Sequence, residues 1–341
     1  MKGNDMEEPI GNMELIGKLQ ARIDEVLRPL IPAGQVALVD FPDYANVGDS
    51  AIWLGQIEFL RSRLGVAPSH CSSMKSYAAE KLRAEAPNGP ILINGGGNFG
   101  TLWRHHHAFF LRLLQDHPGR PIVQLPQSIF FDPPESADET ARAIARHGAF
   151  TLVVRDQRSL AFAREKFDCP TYFCPDMAFF IGATEPAKAR KNFLCLMRSD
   201  KEKVAGPDLP AIPEGSEVTD WLVESRGSLR LARWTGRLDG MLHGVNATVS
   251  AFNALARNRF RRGVDILSRG RVIITDRLHA HIMATLLDIP HVALDNSYGK
   301  LGGFIDAWTS DYVGLRRAAT VEDALTEGRA LLATMAQSAA R

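Results

Sequence analysis

Cysteine is scarce: 341 residues contain only Cys71, Cys169, Cys174 and Cys195, far apart or singly on strand-like segments. Without the paired spacing of a zinc site, they are expected to be free thiols buried in the core. Long apolar runs are missing too. None approaches the ~20 residues of a membrane span, and Asp5, Glu7 and Glu8 precede any apolar segment, unlike a secretory signal. A cytoplasmic protein is expected. Charge of one sign is also absent: 40 Lys and Arg stand against 39 Asp and Glu, a net +1, which argues against a broad nucleic-acid surface. The exception is Arg257, Arg259, Arg261 and Arg262. This cluster reads either as a solvated helix face or as a contact with an anionic lipid or a pyrophosphate-linked acceptor at a membrane surface. Internal repeats and low-complexity tracts are absent as well.

What is present is an ordinary globular composition, 45% hydrophobic and 23% charged, in a chain long enough for two domains. Strand-like runs alternate with helical patterns, the signature of an α/β fold with a mostly parallel sheet and helices on both faces. Strands are expected at Val36 to Phe41, Ile91 to Asn94, Ile122 to Leu125, Thr151 to Val154 and Thr171 to Phe173. Helices are expected near 50–64, 75–85, 104–116, 135–147 and 156–167. Gly182 to Lys191 reads as a linker. Beyond it, strands at Phe193 to Met197, Val272 to Thr275 and His291 to Leu294 surround long helical patterns over 236–262. The expected organisation is two doubly wound, Rossmann-like domains, 1–183 and 184–320, facing a cleft. A last helix within 321–341 returns to brace the first.

Three motifs follow strands, where open α/β sheets collect their ligands. After Val36 to Phe41 comes Asn46-Val47-Gly48-Asp49-Ser50-Ala51-Ile52. Gly48 allows a close turn, while Asn46 and Asp49 either cap the next helix or face a substrate hydroxyl. After Ile91 to Ile93 comes Asn94-Gly95-Gly96-Gly97-Asn98-Phe99-Gly100, formally G-x-G-x-x-G. A dinucleotide fingerprint would want an acid at the end of the next strand, and here that strand runs into Gln124-Leu125-Pro126-Gln127-Ser128, so NAD is not expected. Gly95, Gly96 and Gly97 read as a loop whose bare amides approach an anion or a sugar, or as a tight strand-to-helix turn. After Arg271 to Ile274 comes Thr275-Asp276-Arg277-Leu278-His279. Asp276 reads as an N-cap that sets Arg277 and His279 in a first helical turn, a site for a small, multiply charged anion. Arg155, Arg198 and Lys300 stand at or beyond further strand ends and would together add cations, although each taken singly reads rather as a surface ion pair. His105-His106-His107 reads as a partly exposed helix face or as a contributor at the cleft mouth, but not as a metal site, since consecutive helical residues point ~100° apart and cannot chelate one ion.

Asn46-Val47-Gly48-Asp49 with Ala51-Ile52, Gly95-Gly96-Gly97-Asn98, Val154-Arg155-Asp156, Cys174-Pro175-Asp176 and Asp276-Arg277-Leu278-His279 together resemble the ordered motif set of the polysaccharide pyruvyl transferases, over about residues 36–308. The resemblance implies a fold like that of GT-B glycosyltransferases, with an N-terminal acceptor side and a C-terminal donor side. It implies transfer of a pyruvyl group from phosphoenolpyruvate to a sugar as a ketal, on a lipid-linked oligosaccharide at the cytoplasmic face of a bacterial membrane, with peripheral contact there. By position it implies donor-binding or catalytic roles for Arg155, Arg277, Leu278, His279 and Lys300.

The residues suit that chemistry, since phosphoenolpyruvate joins a phosphate and a carboxylate and needs several cations but no nucleotide pocket. His279 is expected as general acid, Arg155 and Arg277 as anion binders, and Asp49 as base toward the acceptor. Asn46, Gly48, Asn98, Arg198 and the glycines are expected to bind substrate. No cofactor and no metal is required. Two rivals share these features: a GT-B glycosyltransferase using a nucleotide sugar, which would want a ribose-binding acid after His279, and a non-catalytic glycan-binding component of a polysaccharide assembly complex, which would need fewer cations.

Overall fold

The structure, a computed structural model, describes residues 9–198, 213–295 and 300–339. It divides into two units. One holds Gln20–Ile181 and Glu224–Phe260, and the other holds the described residues of Met1–Leu19, Gly182–Val223 and Arg261–Arg341. The chain therefore passes between units four times, the first time within α1 (Asn12–Leu27).

The first unit continues with β1 (Ala37–Val39), α2 (Val47–Leu64), β2 (His70–Ser72), α3 (Ala79–Glu85), β3 (Ile91–Ile93) and β4 (Gly96–Gly100). It goes on through α4 (Arg104–Asp116), β5 (Ile122–Phe130), α5 (Asp138–His147), β6 (Phe150–Val154), α6 (Gln157–Lys166) and β7 (Thr171–Phe173). The strands run in the order β2-β1-β3-β5-β6-β7, all parallel, with β4 alongside the outer part of β5. β1 and β3 are buried on both faces, which is why they read as unbroken apolar runs and not as alternation, whereas β2, equally buried, carries His70 and Ser72 and has no such run. Since β2 lies on one side of β1 and β3 on the other, the direction of winding reverses between β1 and β3. That is the topological switch point, where such sheets bind ligands.

The second unit contains β8 (Lys191–Leu196) and β9 (Glu217–Thr219). The chain then forms α7 (Arg226–Leu242) and α8 (Ala247–Leu267) before β10 (Gly270–Thr275), α9 (Leu278–Leu286), β11 (His291–Leu294), α10 (Lys300–Trp308), β12 (Leu315–Ala318) and α11 (Val321–Ala339). Its five parallel strands run β9-β8-β10-β11-β12, with the switch point between β8 and β10. Ile10 joins this unit by a bridge to Tyr312, its N–H donating to the Asp311 carbonyl at 2.8 Å.

Three expectations are corrected. The last helix does not brace the first unit: Ala324, Leu325 and Leu331 of α11 share a core with Phe193, Cys195, Val272, Ile274, Val292 and Leu294, because its apolar stripe matches the open face of its own sheet. Residues 224–260 belong to the first unit, not the second. There Phe252 of α8 stacks on Phe41 with centroids 4.1 Å apart, and Trp53 Nε1 donates to Asn253 at 2.9 Å. The arginine cluster is no uniform surface, since Arg259 is 2% exposed, pairs with Glu224 and donates to the Pro42 carbonyl. Arg262 donates to the Trp221 carbonyl.

Candidate functional site

At the first unit's switch point the chain leaves β1 through Asp40, whose φ of 65° is left-handed, a conformation that few residues besides Gly, Asn and Asp accept. Asn46 then caps α2, its Oδ1 accepting from Gly48 N at 3.1 Å while its Nδ2 donates to Asp49 Oδ2 at 2.7 Å. The capping alternative thus holds for Asn46. Asp49 sits in the first turn, buried.

The glycine run is not a loop. Gly96–Gly100 is strand β4, paired with β5, because β5 extends far enough beyond β3 to hold it. Glycine is needed where backbones nearly touch: a Cβ at Gly95 would stand 2.5 Å from the Pro126 carbonyl oxygen, and one at Gly100 2.0 Å from that of Phe130. At Gly96, φ +135°, a Cβ would lie 3.4 Å from Asp49 Oδ1 and 3.6 Å from Gln127 Oε1. Close approach therefore holds, but the approach is to β5 and to Asp49.

Around this point gather Asp40 and Tyr44, which sequence reasoning missed, and His106, which it left as one of two readings of the histidine run. His106 Nδ1 donates to Asp40 Oδ2 at 2.9 Å. Burial works hardest against its charged form, but Asp40 and then Asp49 outweigh it, and its pKa is raised. The Tyr44 hydroxyl accepts from Asn98 Nδ2 at 3.2 Å. Its pKa is pushed well up by burial, then by Asp49 and Asp40. A cavity of about 10 Å³, room for one water, is lined by Asp40, Asn98, His106, Gln124 and Gln127 among others. Asp40 Oδ1, Asn94 Oδ1 and Gln127 Oε1 are buried acceptors without a protein hydrogen-bond partner, an arrangement suited to hydroxyl donors. The missed signal was an Asp directly after a strand. The histidine run concealed the rest, because its three members go separate ways: His105 is exposed, His106 meets Asp40, and His107 Nε2 meets Thr140 Oγ1 at 2.7 Å.

Arg155, after β6, was expected to meet substrate and not core, yet it is buried. Nη1 pairs with the carboxylate of Asp176, and Nε donates to Ser128 Oγ at 2.9 Å. Asp176, of the Cys174-Pro175-Asp176 motif, is thereby explained as the partner of Arg155. The guanidinium still borders β4, Nη2 lying 3.6 Å from where a Gly97 Cβ would be.

In the second unit Asp276 is not the N-cap. Its Oδ1 accepts from Arg198 N at 2.9 Å, tying the end of β8 to the end of β10, and burial raises its pKa. The N-cap of α9 is Arg277, whose backbone N–H donates to Thr275 Oγ1. The Arg277 side chain, expected to project from packing, is 4% exposed. It donates to Asp220 Oδ2 at 2.7 Å and lies 5.9 Å from the Trp221 ring centre. Leu278 is half-buried like His279, and both lie in the first turn of α9. This switch point therefore brings Arg198, Arg277 and His279 to the ends of adjacent strands. The side chain of Lys300, with Asn296 to Gly299, lies outside the described residues.

His281, one turn into α9, is not part of this group. Its Nδ1 donates to His291 Nε2 at 2.7 Å, and its Nε2 accepts from Thr309 Oγ1 at 2.9 Å, a sealed and satisfied chain. Asp288, the acid a nucleotide-sugar site would want nearest α9, accepts from the Tyr312 hydroxyl at 2.9 Å. All four cysteines are free, three buried and Cys169 half-buried. Among the described residues no three of His, Cys, Asp and Glu converge as metal ligands, and no helix is long and apolar enough to cross a membrane.

Comparison with known proteins converges on one family. The sequence family described as polysaccharide pyruvyl transferase matches residues 46–298. Pyruvyl transferase 1 of Schizosaccharomyces pombe is 29% identical over 80% of this chain and 69% of its own. EpsO of Bacillus subtilis, a candidate pyruvyl transferase, is 26% identical over 85% of this chain and 90% of its own. A solved structure of an uncharacterised Klebsiella pneumoniae protein superposes with a TM-score of 0.58 at 17% identity, covering 89% of this chain and 99% of that one. The last is a likeness of fold.

Proposed function

Because this chain belongs to the polysaccharide pyruvyl transferase family, whose chemistry is pyruvyl transfer to polysaccharide, we propose that its donor is phosphoenolpyruvate. The proposed acceptor is a sugar of a lipid-linked exopolysaccharide repeat unit, and the product is a ketal across two of its hydroxyls. The observation that carries this reading is Arg277 at the N-cap of α9 with His279 in the first turn, at the end of a parallel strand. Helix amides, a guanidinium and an imidazole suit a small molecule bearing phosphate and carboxylate. Asp220 and Trp221 fix the guanidinium in one orientation, as a preorganised anion site requires. Asp288, already engaged by Tyr312, favours this donor over a nucleotide sugar.

In the proposed reaction a general acid, assigned to His279, protonates the methylene carbon. The enol carbon becomes an oxocarbenium-like centre, and one sugar hydroxyl attacks it and loses its proton. The C–O bond to phosphate then breaks, and a second hydroxyl closes the ketal and releases its proton with phosphate. Arg277 and Arg198 neutralise the donor's charges. The acceptor hydroxyls meet the oxygen-rich switch point of the first unit, where His106 with Asp40 joins Asp49 as a base.

Calorimetric titration with phosphoenolpyruvate and with a panel of nucleotide sugars tests the donor. Saturable binding of phosphoenolpyruvate, weakened by Arg277→Ala, is expected. His279→Ala should retain binding and lose roughly 10²–10⁴-fold in turnover. Binding of a nucleotide sugar with no response to phosphoenolpyruvate overturns the reading.

A further inference from the structure

Helix α7 presents its apolar side outward. Leu231, Trp234, Leu238, Met241 and Leu242 recur at helical spacing on one stripe, and each is exposed, Trp234 by 63% and Met241 by 74%. A stripe at 3.6-residue period normally faces a core. Here the face that packs is the opposite one, formed by Gly236 and Gly240, the two buried residues of the helix. A Cβ at Gly236 would stand 2.7 Å from Ala254 Cβ, and one at Gly240 2.9 Å from Ser250 Oγ. The glycines thus seat α7 directly on α8, and the helix cannot roll its leucines inward without losing that contact.

Between the glycine face and the apolar stripe runs a basic flank. Arg226, Arg230, Arg233 and Arg237 project there, all exposed, against a single acid, Asp239, elsewhere on the helix. Arg233 pairs with Asp43. An apolar face with tryptophan beside an arginine-rich flank is the pattern of a helix lying in the plane of a lipid interface, where each basic residue is drawn to anionic headgroups. A protein partner would need its own apolar groove and acids. A lipid surface supplies both requirements in one layer.

We propose that α7 is a membrane-docking helix, which lays Leu231, Trp234, Leu238, Met241 and Leu242 into the headgroup boundary of an anionic bilayer while Arg226, Arg230 and Arg237 engage lipid phosphates. Of the arginines of α8 suggested by sequence for this role, Arg259 is buried in ion pairs and does not serve it. The inference does not depend on the proposed reaction, and its failure would leave that reading standing.

Vesicle flotation of the full chain tests it, with phosphatidylcholine alone and with phosphatidylcholine mixed with phosphatidylglycerol. The protein is expected to float with the anionic vesicles and to remain below with the neutral ones, and added salt is expected to weaken the association. Trp234→Glu with Leu238→Glu should abolish flotation without changing the thermal melt. Arg226→Gln with Arg230→Gln and Arg237→Gln should weaken partition to anionic vesicles roughly tenfold or more. An unaltered chain that stays below with anionic vesicles overturns the proposal, as does flotation that survives the glutamates in a folded variant. If light scattering shows a dimer that the glutamates dissociate, and the unaltered chain does not float, the stripe is a self-association face instead. Should the glutamate variant unfold, the arginine variant and the unaltered chain decide the matter.

Discussion

His106 titrates between opposing influences: burial disfavours its charge, while Asp40 and Asp49 favour it and prevail. Asp40→Asn removes the larger favourable influence, so the His106 midpoint should fall below its ordinary 6.5. In the proposed reaction the rising, base-dependent limb of the rate profile should then move to lower pH. NMR titration of the His106 ring follows the midpoint directly, and an unmoved midpoint would mean that the Asp40 contact is not made in solution. At this scale the sequence was legible where spacing alone decides geometry, as with Asn46 capping α2 through Gly48. It was not legible where a partner lies far along the chain. Asp40 and His106 are 66 positions apart, Arg155 and Asp176 21, and Arg277 and Asp220 57. Each arginine looks like a projecting cation until the fold supplies its carboxylate.

Helix α2 crosses the 3-10 turn Met177–Ile181 so closely that a Cβ at Gly55 would stand 1.8 Å from the Met177 carbonyl oxygen. Gly55→Ala should therefore separate the two elements and cost more than about 3 kcal/mol, beyond the usual range of overpacking. Gly17→Ala, in a helix where nothing lies within 4 Å, should gain up to about 1 kcal/mol. Urea denaturation of the two variants measures the contrast, and equal effects would show that the close crossing is not maintained in solution. Apolar periodicity located most elements, including α4 and β7 to the residue. It misplaced β4, since glycines carry no pattern and their pairing depends on how far β5 extends. It also misassigned α11 and residues 224–260, because an apolar stripe says that a helix packs but not on which sheet.

Over the whole molecule five imidazoles, His70, His107, His117, His281 and His291, are held below their ordinary range, burial being the largest cause in each, with His117 and His291 lowered to about 4. A folded state that keeps them neutral binds fewer protons than the unfolded chain below pH 6.5. Their contribution is therefore complete above 6.5 and is lost as pH falls from there toward about 4. His106 works in the opposite sense. Thermal melts between about pH 7 and about pH 4.5 should show a steep fall in Tm, and a flat profile would mean that these histidines are accessible to protons in the fold. The doubly wound architecture was legible as alternation, but the shared strand order of the two units was not, because order within a sheet leaves no mark on a single strand. The interleaving of the units along the chain was hidden for the same reason, and it has a consequence for biosynthesis. Ile10 emerges from the ribosome about 300 residues ahead of Tyr312, its bridging partner, an interval of roughly 15–60 s at ordinary elongation rates. During that time the first unit's strands can assemble, while the N-terminal segment waits without its partner. The second unit therefore closes only once Tyr312 and β12 have emerged, long after the segment around Ile10 that it holds.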